Sequence, residues 1–392
     1  MNILMVSLGT PGFVYPSMGL ALKLEEKGHT VHFATDSRFY NILSKQGIKN
    51  VYGKDKTYRI NSWWDLLTLR RQIRHLESII ESNSVDVMVT HILSLGAVCI
   101  SRKHNIPIAV TGLSAYIWPT TEPCLDLISE TEARNRQWNY DEMMRVYNKL
   151  LTSLQLPTCT TEYEESPLLG DLFLIQSVPE FEPYLHLLPG KVHCVGNCQW
   201  EPHVDDHEVD TWIEESRDLD MPIIYVQIGR AFEKESFWPY LTDVFGGQSV
   251  RIAGSAGRSD EDEFDIPQNF FVRDHVPQER VLGHARAVIS NGHTTSVLGA
   301  LSHGLPMLLF PNGSGTYEIA LRCRSAGVAI GLSTKKINAG VVEASFHKIM
   351  DDEFKANANY FQTLYSRFNG RDYAAGLIEE LANTQKAVLR EY

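Results

Sequence analysis

The sequence lacks any apolar run close to the roughly 18–20 residues that a membrane-spanning helix needs. Its first residues, "MNILMVSLG", also lack the basic region of a secretory signal peptide, and they continue directly into a strand–turn–helix pattern. These two absences predict a protein of the cytoplasm without a membrane span.

An excess of positive charge is also missing. The chain of 392 residues has 36 Lys and Arg against 48 Asp and Glu, which gives a formal net charge of −12 at pH 7. Nucleic acids and anionic membranes bind basic faces, so neither is expected as the main partner. This balance still leaves room for a local cationic pocket that binds a phosphate.

Closely spaced cysteines are almost absent. Six cysteines are scattered along the chain: Cys99, Cys124, Cys159, Cys194, Cys198 and Cys323. Only "HCVGNC" brings two of them near each other, and a zinc site there with His193 and His203 is the minor alternative, because zinc usually uses two tighter clusters. Free thiols in a reducing compartment are the main interpretation, and no metal is predicted.

The pattern that is present alternates short β-rich runs with amphipathic stretches. In the first half, "ILMVSL", "TVHFAT", "VDVMVT", "IPIAVTG" and "DLFLIQS" are typical of strands. A helix is predicted from Pro16 to Lys27, and a polar helical insertion over about 122–156. Such alternation indicates an α/β fold with a parallel sheet between helices.

The second half repeats this alternation after an acidic segment. The length of the chain favours two domains. We therefore predict a first domain over 1–196, an acidic interdomain linker over 197–221 and a second domain over 222–375. A final helix over 376–392 is expected to pack back on the first domain. The ligand is expected in a cleft between the halves, at the carboxyl ends of strands.

The strongest local signal lies between Phe271 and Gly315. A strand ends at Asn291, a corner opens at Gly292, and a helix begins at the cluster Thr294, Thr295 and Ser296. Thr and Ser cap helix starts, where backbone N–H groups bind anions. A second glycine-rich turn, 312–315, follows the next strand. Two such corners side by side predict a site for a diphosphate.

The order of residues in this stretch resembles the donor-binding signature of nucleotide-sugar glycosyltransferases with the GT-B fold, which include UDP-glycosyltransferases and macrolide and polyketide glycosyltransferases. The matching positions are Val276-Pro277-Gln278, His284-Ala285, Val288-Ile289, Gly292, Ser296, Ala300-Leu301, Gly304, Pro306 and Pro311. The segment "GTPGFVYPSMGLALKLEEKGHTVHFAT" is similar to the first strand–loop–helix–strand unit of that family, and "TWIEESRDLDMPIIYVQIG" to its linker tryptophan and first donor-domain strand.

The resemblance implies two Rossmann-like domains, the first binding an acceptor and the second a nucleotide-activated donor. It also implies direct displacement with inversion, without a metal or cofactor, because the donor, such as a UDP- or dTDP-sugar, is itself a substrate. The expected acceptor is a small molecule of secondary metabolism. A homodimer is compatible with the sequence.

In the acceptor-binding half, the chain departs from the family pattern at the position of the general base. The family places His or Asp on the first loop, where this chain has Phe13 after Gly12. Phe13 cannot take a proton, so its expected role is an apolar wall of the acceptor site or a core contact. His91, at the end of "VDVMVTH", is the candidate for a replacement base. A structural role for this histidine is the alternative.

The donor side departs at more positions. Gly229-Arg230 stands where the family has Gly-Ser or Gly-Thr, and the Arg230 guanidinium is suited to bind phosphate or carboxylate, or to pair with acidic residues. His275 replaces the aromatic that stacks on the nucleobase, next to Val276 and Gln278. The remaining departures are Asn291 for the signature histidine, His293 for a glycine, Gly299 for an acidic residue, and Gly315-Thr316 for the pair that binds sugar hydroxyls.

Three interpretations follow from these departures. The leading one is a glycosyltransferase that transfers a group, most simply a sugar, to an acceptor that is already ionised near neutral pH. The second is a catalytically inactive homologue that binds a ligand or a partner enzyme. The third is an enzyme with a changed donor or transferred group.

Overall fold

The structure is a computed structural model that describes residues 1–51, 57–60, 63–120, 129–159, 163, 165–228, 237–255, 265–333 and 337–390. The chain divides into two compact units. The first consists of Met1–Trp200 with Phe368–Tyr392, and the second of Glu201–Arg367.

The first unit contains a parallel sheet of seven strands among the residues described. They are β1 (Asn2–Val6), β2 (Thr30–Ala34), β3 (Lys49–Asn50), β4 (Val87–His91), β5 (Ile108–Thr111), β6 (Leu172–Ile175) and β7 (Val192–Cys194). Their order is β3-β2-β1-β4-β5-β6-β7, and β1 lies between β2 and β4, with Ile3 opposite Val31 on one side and Val87 on the other. This arrangement confirms the predicted α/β class for this half.

Helices cover both faces of this sheet. They are α1 (Pro11–Glu26), α2 (Tyr40–Lys45), α3 (Leu66–Ser82), α4 (Leu95–His104) and α5 (Glu130–Ser153). Successive residues of β1 point to opposite faces. Leu4 and Val6 join the apolar cluster that holds residues of α3, α4 and α5, whereas Ile3 and Met5 join the cluster that holds residues of α1. Both faces are therefore buried, as parallel sheets require.

The first helix begins five residues earlier than predicted. The sequence pattern predicts a helix from Pro16, but α1 begins at Pro11 and contains Pro16 in its interior. Pro11 is tolerated because the first helical residue needs no N–H partner, and Pro16 is tolerated close to the start, where only the carbonyl of Gly12 loses its usual donor. Phe13 therefore lies in the first helical turn and not in a loop.

The second unit contains a parallel sheet of six described strands. They are β8 (Ile223–Gln227), β9 (Arg251–Ser255), β10 (Phe270–Arg273), β11 (Ala285–Ser290), β12 (Met307–Leu309) and β13 (Ala329–Gly331), in the order β10-β9-β8-β11-β12-β13. Its helices are α6 (His207–Asp218), α7 (Trp238–Phe245), α8 (Gln278–Leu282), α9 (Thr294–Ser302), α10 (Ser314–Ser325), α11 (Ala339–Ile349) and α12 (Asp352–Arg367).

The segment predicted as an acidic linker, 197–221, contains α6, and all of it from Glu201 onward belongs to the second unit. Trp212 is buried, with the Arg251 guanidinium 4.5 Å from its ring centroid. Arg273 forms ion pairs with Asp206 and Glu208 at the start of α6. Aromatic burial and charge pairing therefore hold this acidic segment as an ordered element of the unit.

The last helix, α13 (Gly370–Thr384), belongs to the first unit and packs against α1. The chain returns to this unit at Phe368, whereas the sequence analysis placed the return at 376. Gly370 packs closely on this unit, because a Cβ there would lie 2.5 Å from the carbonyl oxygen of Asn197. None of the helices described is both long and apolar enough to cross a membrane.

Candidate active site

In the first unit, Phe13 and His91 form a stacked pair at the carboxyl edge of the sheet. Their ring centroids are 4.0 Å apart and their planes differ by 7°. Phe13 is half-buried in the first turn of α1, whereas His91 at the end of β4 is only 2% exposed. The structure thus brings together two residues that the sequence analysis considered separately, and one covers the other.

The hydrogen bonds of His91 do not support its predicted role as a base. The Leu8 N–H donates to Nε2 at 2.8 Å, and the Leu93 backbone nitrogen lies 3.3 Å from Nδ1. A neutral imidazole has one accepting nitrogen, and the shorter contact assigns it to Nε2. Burial lowers the pKa of His91 to about 3. His91 is therefore an internal acceptor that holds the turn after β1.

Gly12 precedes Phe13 at the start of α1, where nothing lies within 4 Å of an added Cβ. Nearby in the chain, the Arg38 guanidinium donates to the carbonyl of Gly9 at 2.9 Å and to Asp36 at 2.8 Å. Burial raises the pKa of Asp36, but the hydrogen bonds from Arg38 outweigh it and lower the pKa below its usual value. Gly12 thus lies beside open space, next to a turn that Arg38 braces.

In the second unit, the corner between β11 and α9 places the predicted donor-binding residues together. Gly292 has a φ of +81°, a conformation that favours glycine. Its N–H donates to Ser290 Oγ at 2.9 Å, and an added Cβ would lie 3.4 Å from the Thr316 carbonyl oxygen. The two glycine-rich corners are therefore neighbours, as the sequence predicts.

Two serine hydroxyls hold this corner together by hydrogen bonds within it. Ser290 Oγ and Ser296 Oγ are 2.6 Å apart, and Ser296 Oγ donates to the His293 carbonyl at 2.9 Å. Because Ser296 gives its only hydrogen to this carbonyl, it accepts from Ser290. Ser296 and Thr294 are buried, and Thr295 is partly exposed in the same turn.

His293 is the half-buried N-cap residue of α9, and its side chain makes no capping bond to that helix. The side-chain amide nitrogen of Asn291 lies 2.9 Å from its Nε2. Burial lowers the pKa of His293 to about 4, so the imidazole is neutral at pH 7. The predicted departures Asn291 and His293 thus form one hydrogen-bonded pair.

The side chain of Gln278 lies directly beside Gly299. The Gln278 side-chain amide donates to the Thr295 carbonyl at 3.1 Å, which joins α8 to α9. A Cβ on Gly299 would lie 2.1 Å from that same amide nitrogen. An acidic side chain at this position would therefore displace Gln278, which accounts for the glycine there.

Glu201 was not identified from the sequence, although it organises the predicted nucleobase region. Its carboxylate accepts the N–H groups of Gln278 (3.1 Å) and Glu279 (3.0 Å) at the start of α8. It also lies 3.7 Å from His275 Nε2. No local sequence pattern indicates this role, because Glu201 is far from α8 in sequence, at the start of the acidic segment.

Val276 and Thr316 have internal partners. The Val276 N–H donates to Ser255 Oγ at 2.8 Å. Thr316 Oγ1 accepts from the N–H groups of Asn312 (3.1 Å) and Gly313 (3.0 Å), and so caps α10. Thr316 and Val276 therefore support the site through its framework. The predicted residues Gly229 and Arg230 lie outside the described part of the chain, and Gly315 is partly exposed in α10.

Comparisons with known proteins agree with this architecture. Residues 251–363 match the family model for the erythromycin biosynthesis protein CIII-like C-terminal domain. The chain is 22% identical to 4'-demethylrebeccamycin synthase of Lentzea aerocolonigenes, over 97% of this chain and 99% of that protein. It is 23% identical to NDP-glycosyltransferase YjiC of Bacillus subtilis (strain 168), over 96% of each chain.

The crystal structure of the glycosyltransferase VinC in complex with dTDP superimposes with a TM-score of 0.71 at 15% identity, over 98% of this chain and all of that chain. The two parallel-sheet units therefore have the GT-B fold. The chain is thus similar to glycosyltransferases over nearly its whole length, and residues 251–363 match a domain of erythromycin biosynthesis proteins.

Proposed function

We propose that this protein transfers a sugar from a nucleoside diphosphate sugar to an acidic small-molecule acceptor. The corner Asn291–Ser296 carries the donor part of this proposal, because it places a helix start beside a left-handed glycine turn, an arrangement suited to a phosphate. VinC binds dTDP, and YjiC is named for nucleoside diphosphate donors, which supports the same donor class here.

The acceptor part rests on the Phe13–His91 stack. The position of the family base is an aromatic ring, and the histidine beneath it has its accepting nitrogen engaged by Leu8. An acceptor carboxyl group with a pKa of about 4 is already ionised at neutral pH and needs no base. Its oxygen attacks the anomeric carbon, the bond from that carbon to the diphosphate oxygen breaks, and the nucleoside diphosphate leaves with the electron pair.

Product analysis by mass spectrometry tests this proposal with dTDP- and UDP-sugars and paired acceptors that differ only in carboxylic acid or alcohol. Glycosyl esters formed from the acids are the expected products. Turnover of the alcohols alone would overturn the acidic-acceptor proposal. Nucleotide binding without turnover of either acceptor would favour an inactive homologue. Operation without a cofactor, a cytoplasmic location and a homodimer stay predictions.

A further inference from the structure

The first half of α3 has a basic surface, in contrast to the acidic chain as a whole. Residues 66–76 contain Arg70, Arg71 and Arg74 and no Asp or Glu, although the formal net charge of the protein is −12. All three arginines are exposed. Side chains that are three or four residues apart lie on one face of a helix. The three arginines therefore form one cationic face of α3.

This face borders a groove of about 620 Å³ between α3 and α5. The groove is lined by Leu66, Arg70, Arg145, Asn148, Lys149, Thr152 and Ser153. Residues 145–153 of α5, like the first half of α3, contain no Asp or Glu. Arg and Lys form strong hydrogen bonds with phosphate oxygens, and hydroxyl and amide groups donate to them as well. The groove thus has the chemistry of a phosphate site.

Most of these cations have no acidic partner. Among the residues that the structure describes, the three arginines of α3 and Lys149 on α5 make no hydrogen bond or ion pair through their side chains. Only Arg145 is paired, with Glu142 at 2.6 Å on its own helix. Unpaired like charges on one surface repel each other, and an anionic surface that approaches them relieves this repulsion.

Two large apolar side chains protrude next to these cations. Trp64, directly before α3, is 49% exposed, and Leu67 in the first turn is 66% exposed. By its spacing, Leu67 shares a face with Arg70, Arg71 and Arg74. Trp and Leu beside Arg and Lys are typical of surfaces that lie in the membrane interface. A protein partner usually meets a contiguous apolar core, which two separate side chains among cations do not provide.

We propose that the docking face, which consists of Trp64, Leu67, the three arginines of α3 and Lys149, binds the first unit to an anionic lipid surface. Headgroup phosphates bind the cations and the α3–α5 groove, while Trp64 and Leu67 enter the interface. The net charge of the chain argues against this partner. However, charges more than about 10 Å from the membrane are largely screened at roughly 0.1 M salt, so the charge of the approaching face decides the attraction. This docking goes beyond the transfer reaction and does not depend on it.

Flotation of the full-length protein with lipid vesicles tests this proposal. Vesicles of phosphatidylcholine with one-third phosphatidylglycerol are expected to bind the protein at low salt, and vesicles of phosphatidylcholine alone to bind it about 100-fold more weakly. Each cation at such a surface contributes about fivefold in affinity, so the triple variant Arg70→Gln, Arg71→Gln, Arg74→Gln is expected to lose about 100-fold. Leu67→Gln is expected to lose about tenfold, because an apolar side chain no longer enters the interface.

The matched control removes three exposed cations from α11 and α12 of the second unit, as Lys348→Gln, Lys355→Gln, Arg367→Gln, and is expected to retain wild-type affinity. Equal losses in the two triple variants would overturn the docking face, because total charge alone would then explain the binding. Absence of vesicle binding by the wild type would overturn the proposal, even where inorganic phosphate or an acidic protein binds. Circular dichroism establishes that each variant is folded, and all of these results leave the proposed function standing.

Discussion

The assignment of His91 as a buried acceptor predicts a graded response to substitution. His91→Gln keeps an acceptor for the Leu8 N–H and loses the stack on Phe13, an aromatic contact worth about 0.5–1.5 kcal/mol. His91→Phe keeps a ring but leaves a buried N–H unpaired, which costs about 1–3 kcal/mol. His91→Ala loses both and opens a cavity, so its cost is expected to exceed about 3 kcal/mol.

The pH dependence of stability gives the sharper measurement. The unfolded chain binds a proton on this imidazole below pH ~6.5, whereas burial lowers the folded pKa of His91 to about 3. The stability that the neutral ring contributes is therefore complete above pH ~6.5 and is lost as the pH falls toward 3. At about 1.4 kcal/mol per pKa unit, the loss between pH 7 and pH 5 is about 2 kcal/mol.

Urea denaturation of the wild type and His91→Gln at pH 7, 6 and 5 measures this loss. Hydrogen–deuterium exchange of α1 and α4 assigns the transition to the first unit. The wild type is expected to lose about 2 kcal/mol more than the variant over this range, because His293 titrates in both proteins. Equal losses, or a 100-fold fall in turnover of folded His91→Gln, would refute the assignment and restore His91 as a candidate base.

Three further predictions follow from the same contacts. Phe13→His places an imidazole in the first turn of α1, and turnover of alcohol acceptors, measured by initial rates, is expected to rise about 100-fold or more; unchanged rates would contradict this. Thr316→Val removes the cap of α10 and is expected to lower the free energy of unfolding by about 1–2 kcal/mol, with Thr363→Val on α12 as control. Glu201→Ala leaves two N–H groups of α8 without their acceptor and removes the carboxylate beside His275. Calorimetry is expected to show weaker nucleotide binding, and an affinity equal to that of the wild type would exclude Glu201 from the support of the site.

The sheets could be predicted from sequence because buried parallel strands are continuous apolar runs separated by helical stretches. The ends of helices and of domains could not be predicted where they depend on tertiary contacts. Pro16 suggests a helix start by local rules, yet Pro11 is the residue that begins α1. The acidic segment resembles a linker by composition, and only the packing of Trp212 against Arg251 shows that it is part of the second unit.

In the candidate site, too, local features could be predicted from the sequence and long-range contacts could not. Local spacing identified the corner at Gly292, because its turn is formed by neighbouring residues. The role of Glu201 depends on its proximity to the start of α8, across a separation of 77 residues, and no local pattern records that. Similarly, a strand-end position makes His91 a candidate base, but only the stack with Phe13 and the bond from Leu8 show it to be enclosed.

His91 and His293 show why a lowered pKa alone does not define a catalytic role. Burial lowers the pKa of both rings, and each receives a hydrogen bond on Nε2. His91 is 2% exposed beneath Phe13, and its Nδ1 lies 3.3 Å from the backbone nitrogen of Leu93. His293 is half-buried at a helix start, where a donor can meet an anion. Exposure therefore distinguishes the two rings, because His91 is enclosed whereas His293 is partly open at the start of α9.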